Sequence, residues 1–299
     1  MITVFGSTNI DQIGRVERLP RPGETVTGSS FAMSAGGKGA NQALAARRAG
    51  SAVRHVSAAG NDSFADLALA ELRQAEIDIS GVVVSTSHTG IAMILVDVHG
   101  ENFIAVLPGA NSTLAPAHAI AAVDAMAAGD VLLVQQEVPQ PATQVALQRA
   151  RERGGLLSIF NIAPCFETTR ELAPLADVVV ANVGEFCTLA SCTMDDLEPA
   201  MLSWARAHRQ TVIVTVGKDG ALGTTGEGII RAPALAITPL DTVGAGDTFC
   251  GYLADGLSRG ATLEAAMNRA TTAASLACLR HGAQPAIPLA AEVDAAMAA

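Results

Sequence analysis

Lysine is nearly absent from this chain. Of 19 basic residues only Lys38 and Lys218 are lysine, and they face 29 acidic ones, for a formal net charge of −10. A phosphodiester backbone requires a surplus of clustered cations, so the charge balance argues against a nucleic-acid partner. Aromatic residues are scarce as well, at 3% of a chain that is 49% hydrophobic. With alanine supplying much of the apolar content, the core must come from close helix packing rather than ring clusters. No uncharged apolar run reaches membrane-spanning length, and Met1 to Asp11 has neither a basic start nor an apolar centre. The expectation is a soluble, cytoplasmic protein with no membrane partner. Five cysteines (Cys165, Cys187, Cys192, Cys250 and Cys278) are odd in number and lack C-x-x-C spacing. That sets aside a disulfide framework and a zinc site and leaves reduced, mostly structural thiols.

What is present alternates. Short β-rich runs (Ile2–Phe5, Val53–Ser57, Val131–Val134, Leu156–Phe160, Val178–Ala181, Thr211–Val216) are separated by segments with helical spacing of apolar residues. Those segments are Asn41–Ala49, Phe64–Ala75, Ala117–Ala127, Thr143–Arg153, Leu197–His208 and Leu263–Leu279. Strands that read as continuous apolar runs are covered on both faces, which predicts an α/β fold with a mostly parallel sheet between helical layers. Two stretches break the alternation. Arg15–Met33 holds Pro20, Pro22 and Gly23, and Gly90–Leu107 reads as two strands around a His99-Gly-Glu101 turn. Without crossover helices, the two predict a small β-sheet lid beside the main sheet.

Three glycine-rich segments carry chemistry. In Asp241-Thr-Val-Gly-Ala-Gly-Asp247, the small residues Gly244, Ala245 and Gly246 turn the chain into a helix, whose first N–H groups point outward as an anion site. Asp247 reads either as a helix N-cap or as an acid placed to take a proton from a group attacking the bound anion. The segment Ala35-Gly-Gly-Lys-Gly-Ala-Asn41 surrounds Lys38 with small residues, but Gly39 stands where a Walker loop needs Ser or Thr. No glycine cluster satisfies G-x-G-x-x-G, which also weakens a dinucleotide-binding reading. Gly217-Lys-Asp-Gly220 reads as a hairpin turn with a solvated lysine. Asn9 and Asp11, Glu137, and Asn182 with Glu185 follow predicted strands at the sheet edge where α/β folds place ligands.

At these residues the sequence resembles the ribokinase-like (PfkB) family of carbohydrate kinases. Gly36-Gly-Lys-Gly-Ala-Asn41, with Gly50 and Gly60, is similar to the family's first signature, Asp241 to Asp247 to its second, and Asn182-Val-Gly-Glu185 to its N-x-x-E element. Gly6–Asp11, Pro22–Val26, Pro108–Asn111 and Gly282–Pro285 look most like its ribokinase branch. The resemblance implies a three-layer αβα sandwich over 1–12, 34–88 and 109–299, with a lid over 13–33 and 89–108. It implies ATP-dependent phosphorylation of a pentose primary hydroxyl, D-ribose first, with Asp247 as base and the Gly244, Ala245, Gly246 and Asp247 backbone as anion hole. Asn9, Asp11, Gly37, Lys38, Asn41 and Glu137 would hold the sugar. Asn182, Thr215, Gly217, Lys218, Asp219, Gly220, Gly246 and Thr271 would line the ATP site. Glu185 would organise magnesium through water, and Asp241, Val243, Ala277, Arg280, Gly282 and Ala286 a monovalent cation, potassium. A homodimer through the lid is implied too.

The net charge means that MgATP must be drawn by local N–H dipoles, magnesium and a few placed cations rather than by a global field. Three positions depart from the family pattern: Cys250, Tyr252 and Thr271. Cys250 reads as a small buried helix residue. The alternatives are a family kinase for deoxyribose, a nucleoside or another sugar, or a sugar-binding regulator that kept the fold and lost catalysis.

Overall fold

A run such as Val131-Leu-Leu-Val134 can be buried only between two layers, and the computed structural model, which describes residues 1–298, places it there. The chain opens with β1 (Ile2–Phe5), β2 (Asn9–Val16) and β3 (Gly28–Gly36), then α1 (Lys38–Ala49), β4 (Val53–Gly60), α2 (Ser63–Gln74) and β5 (Asp78–Ser85). Next come β6 (Gly90–Val96), β7 (Asn102–Leu107), α3 (Pro116–Asp124), β8 (Val131–Val134), α4 (Gln140–Arg153) and β9 (Leu157–Asn161). They are followed by α5 (Thr169–Leu172), β10 (Val178–Asn182), α6 (Val183–Ala190), α7 (Leu197–His208) and β11 (Thr211–Thr215). The last elements are β12 (Ala221–Thr224), β13 (Ile230–Ala232), α8 (Ala245–Ser258), α9 (Leu263–Ala277) and α10 (Ala290–Ala298). No described helix is long and apolar enough to cross a membrane.

The central sheet has nine strands in the order β13-β12-β11-β10-β9-β8-β1-β4-β5, parallel except at β11–β12 and β12–β13. Alternation along each inner strand divides the interior into two cores. On β8, Val131 and Leu133 join residues of α1, α8 and α9, whereas Leu132 and Val134 join residues of α3, α4 and α7. The inner face of α1 is largely alanine (Ala40, Ala43, Ala45, Ala46 and Ala49 are buried), which lets α8 approach closely and accounts for the scarcity of aromatics. This is the αβα sandwich expected from the apolar runs.

A second sheet has the order β3-β2-β6-β7; the stretch Gly90–Leu107 supplies β6 and β7, whereas β2 starts at Asn9, ahead of the stretch Arg15–Met33, and β3 runs past it to Gly36. Of its strands, β2 begins at Asn9 and β3 ends at Gly36, so these two run without a break between the main body and the second sheet. Helical spacing put the start of the first helix at Asn41, but α1 begins at Lys38. Its first N–H groups find partners on the β1–β2 connection, Gly39 N donating to Ser7 Oγ at 3.3 Å and Ala40 N to the Ser7 carbonyl at 2.9 Å. Local spacing cannot show a cap supplied from so far along the chain.

Candidate active site

Helix α8 begins after Gly244, which takes the left-handed region at φ 75 and lies against Ala283, where an added Cβ would come within 2.9 Å of the Ala283 backbone. Only glycine satisfies both conditions. Ala245 N reaches the Thr242 carbonyl and Thr248 N the Gly244 carbonyl, while the N–H groups of Gly246 and Asp247 meet no acceptor among the described residues. Asp247 is no N-cap. It is buried, and Oδ2 accepts from Asn41 Nδ2 and Oδ1 from Gln42 Nε2, both at 2.9 Å. A carboxylate is thus held by α1 beside unpaired helix N–H groups.

Around it converge Lys38 and Asn41 of the first signature together with Asn9, Asp11 and Glu137, which come from other segments. Asn9, at the root of β2, accepts from Asn111 Nδ2 at 2.7 Å, which leaves its own amide N–H groups facing away. Glu137 Oε2 accepts from Ser7 Oγ and, at 3.0 Å, from Lys38 N. Asp11 lies over Gly36, where a Cβ would fall 2.3 Å from Oδ2. Burial first, then the charges of Glu137 and Asp247, push the Asp11 carboxyl up to about 7 against the pull of Lys38. The Asp247 charge holds the Lys38 ammonium above its usual range against burial, helped by Glu137 and Glu185. Its side chain nevertheless enters no salt bridge among the described residues and lines a 240 Å³ cavity with Asn161, Asn182, Glu185, Gly244 and Asp247. One cation therefore serves four carboxylates.

A second cleft of 340 Å³ shares Thr215, Thr242 and Gly246 with that cavity and extends past Gly217, Lys218 and Gly220 to Thr271. Gly217–Asp219 is the turn of the β11–β12 hairpin, with Lys218 and Asp219 exposed. Asp219 does not line the cleft. Thr271 is buried and its hydroxyl donates to the Met267 carbonyl. Asn182 and Glu185 form a capping box on α6: Asn182 Oδ1 accepts from Glu185 N at 2.8 Å and Glu185 Oε2 from Asn182 N at 2.9 Å. Both groups therefore have a folding role at the cavity wall.

The remaining predicted positions lie just before α8 and from the end of α9 onward. Asp241 ties two loops together, Oδ1 accepting from Val243 N at 3.0 Å and Oδ2 from Gly282 N at 2.9 Å. Ala277 ends α9, Ala286 is buried, and the Arg280 side chain pairs with Glu292. Among the described residues no three His, Cys, Asp or Glu side chains cluster as metal ligands. Cys250 is buried at the wall of the 240 Å³ cavity and its thiol is pushed up by burial.

Sequence reasoning missed a buried amide chain. Gln135 Nε2 donates to Gln42 Oε1 at 2.6 Å, and Gln42 Nε2 serves both Asp247 and, at 3.1 Å, Asn161 Oδ1. Gln42 follows Asn41 directly, and uncharged amides at the end of β9 and after β8 were the available signal.

The sequence model of the pfkB family carbohydrate kinases matches residues 1–290. The chain is 35% identical to the ribokinase of Staphylococcus aureus (strain COL) over 300 residues, 98% of each chain. It is similar to the crystal structure of ribokinase from Thermotoga maritima, with a TM-score of 0.88 at 31% identity over 100% of this chain and 99% of that one. It is also similar to Arabidopsis thaliana ribokinase complexed with ribose and ATP, with a TM-score of 0.88 at 27% identity over 98% and 97% of the two chains.

Proposed function

The chain belongs to the pfkB family of carbohydrate kinases, and from that premise we propose that it moves the γ-phosphoryl group of ATP to the primary hydroxyl of a pentose, converting D-ribose to ribose 5-phosphate. The observation that carries this reading is the Asp247 carboxylate, fixed by Asn41 and Gln42 beside the unpaired N–H groups of Gly246 and Asp247. Asp247 accepts the hydroxyl proton as the oxygen attacks, and the first turn of α8 holds the oxygens of the transferring group. Asn9, Asp11, Gly37, Asn41 and Glu137 orient the sugar. Lys38 sits between the carboxylates and the anion hole, where a compact ammonium steadies the incoming negative charge.

ATP lies along the 340 Å³ cleft with its base toward Thr271 and its phosphates at Gly246. Glu185 fits magnesium, because its Oε2 is engaged by Asn182 while Oε1 has no partner and the side chain lines the same cavity as Asp247. Magnesium bound there neutralises phosphate charge. A monovalent cation such as potassium would sit beside the two loops that Asp241 joins, with the backbone carbonyls of Val243, Ala277, Arg280, Gly282 and Ala286 as the ligands the family resemblance implies. The exposed lid side chains Phe31, Met33, Met93, Phe103, Ile104 and Val106 fit a homodimer formed through the lid.

A second reading rests on a 710 Å³ cleft beyond Glu137, walled by Val106, Pro108, Pro139, Pro164 and Phe166. That space suits a substituent on the sugar and hence a nucleoside acceptor. Turnover of ATP across D-ribose, 2-deoxyribose, fructose and adenosine, with and without potassium, separates these readings. Highest turnover on ribose with ribose 5-phosphate as product supports the first, and preference for adenosine supports the second. Phosphorylation of no member would leave a sugar-binding regulator.

A further inference from the structure

Two thiols outside the sites above lie in contact. Cys187 belongs to α6 and Cys192 follows just beyond its end, with their sulfurs 3.5 Å apart. The backbone makes this contact. Ser191 turns into the left-handed region at φ 55, and Cys192 N returns to the Cys187 carbonyl at 3.1 Å. Arg170 holds the turn from outside, donating to the Leu189 carbonyl from Nη2 at 2.8 Å and Nε at 3.1 Å and to the Ser191 hydroxyl. Both cysteines are half-buried, unlike the buried Cys250. A disulfide needs sulfurs about 2.05 Å apart, so roughly 1.5 Å of side-chain rotation separates the pair from a bond.

We propose that Cys187 and Cys192 are a reversible dithiol–disulfide site, oxidised by exchange with a small-molecule disulfide, which acts on the nucleotide side through α6. One cysteine sulfur attacks the small disulfide, breaking its S–S bond, forming a mixed disulfide and releasing one small thiol. The other cysteine then attacks the protein-side sulfur of that mixed disulfide and releases the second small thiol. Two cysteine protons end on the two small thiols; the cysteines are oxidised and the small disulfide is reduced. Burial, and then the contact with Cys187, push the Cys192 thiol up to about 11, so exchange is slow at neutral pH and quickens in alkali. Helix α6 has only eight residues, and its first turn carries the Asn182–Glu185 capping box. Drawing Cys187 toward Cys192 therefore pulls on the residues that wall the phosphate cavity.

The test incubates the whole protein with oxidised glutathione at alkaline pH, alkylates it, and reads the peptide spanning Cys187 and Cys192 by mass spectrometry, with Cys165 and Cys278 as internal controls. The expected peptide is two hydrogens lighter, unalkylated and free of glutathione, while Cys187→Ser and Cys192→Ser each lose the bridge. Separate glutathione adducts on the two cysteines, or full alkylation of both, would overturn the site. In the same samples the KM for MgATP should rise several-fold on oxidation, recover with dithiothreitol and stay unmoved in Cys192→Ser. An unchanged KM with the bridge formed would refute the action through α6. That second arm rests on the proposed nucleotide role of Asn182 and Glu185: a reduced protein that transfers no phosphate refutes that role and leaves the mass readout intact.

Discussion

Asp247→Asn and Asp247→Ala remove the same proton acceptor but leave different holes behind. In the native protein Gln42 cannot turn its amide, because Oε1 takes the Gln135 N–H at 2.6 Å and Nε2 also serves Asn161. Asn41 can turn, since its Oδ1 is buried without a partner. An asparagine at 247 therefore points its oxygen at Gln42 and its amide at a flipped Asn41, trading two charge-assisted bonds for two neutral ones at a cost of about 1 kcal/mol. Alanine strands both donors, at about 1 to 3 kcal/mol each. Taking an unfolding entropy of about 2.1 cal/mol/K per residue, these costs correspond to Tm losses of roughly 2 °C for asparagine and roughly 3 to 10 °C for alanine. In both variants kcat should fall by about 10²- to 10⁴-fold, the usual contribution of a positioned base. Steady-state ADP release and differential scanning fluorimetry read the two effects separately. An asparagine variant within tenfold of native kcat would sink the base assignment, and an alanine variant as stable as the asparagine one would sink the hydrogen-bond reasoning.

Three other outcomes follow from the proposed sugar-side cluster. Asp11, at about 7, is half protonated at neutral pH, and as a hydroxyl acceptor it works ionised, so the sugar KM should fall as pH rises from about 6 to 8, with no such inflection in Asp11→Asn. The stability effect has the opposite sign: the folded state keeps this proton between about pH 4 and 7 where the unfolded chain has lost it, so Tm relative to Asp11→Asn should decline across that window as pH rises. Gly36→Ala places a Cβ 2.3 Å from the Asp11 carboxylate, which must move. The sugar KM should rise by about tenfold or more while the KM for MgATP holds; equal effects on both would show a general loss of fold.

The layers were legible because double-sided burial leaves a mark that survives in sequence order. Val178-Val-Val-Ala181 has no polar position to offer solvent, and it is buried on both faces. The second sheet was legible from the prolines and glycine of Arg15–Met33 and the turn after Val96, but not the start of β2 at Asn9, whose polar residues read as a loop after β1. The support of Asp247 was not. Gln42, Gln135 and Asn161 come from α1 and from the ends of β8 and β9, and nothing in their spacing says that three segments will bring their amides into one buried chain. A polar residue on a helix reads as surface until the neighbouring helix is in place, and only packing reveals that Gln42 is fully buried. The capping box at Asn182 and Glu185 was hidden for another reason. Its residues match the family's N-x-x-E element, and the same pair also starts α6.

The unbroken run of β2 from Asn9 through the second sheet makes that strand a lever with its fulcrum at the proposed sugar site. Asn9 pairs with Gly36 on one side and Gly90 on the other, and Asp11 lies two residues along. At about 3.3 Å per residue, Asp11 is roughly 7 Å from that root and Val16 roughly 23 Å. For a rotation of about 10° about the root, Val16 sweeps about 4 Å while Asp11 shifts about 1 Å, by the same strand geometry. Travel at the far end of β2 thus becomes much smaller travel at Asp11, so a swing of the second sheet reaches this carboxylate as a fine adjustment of position.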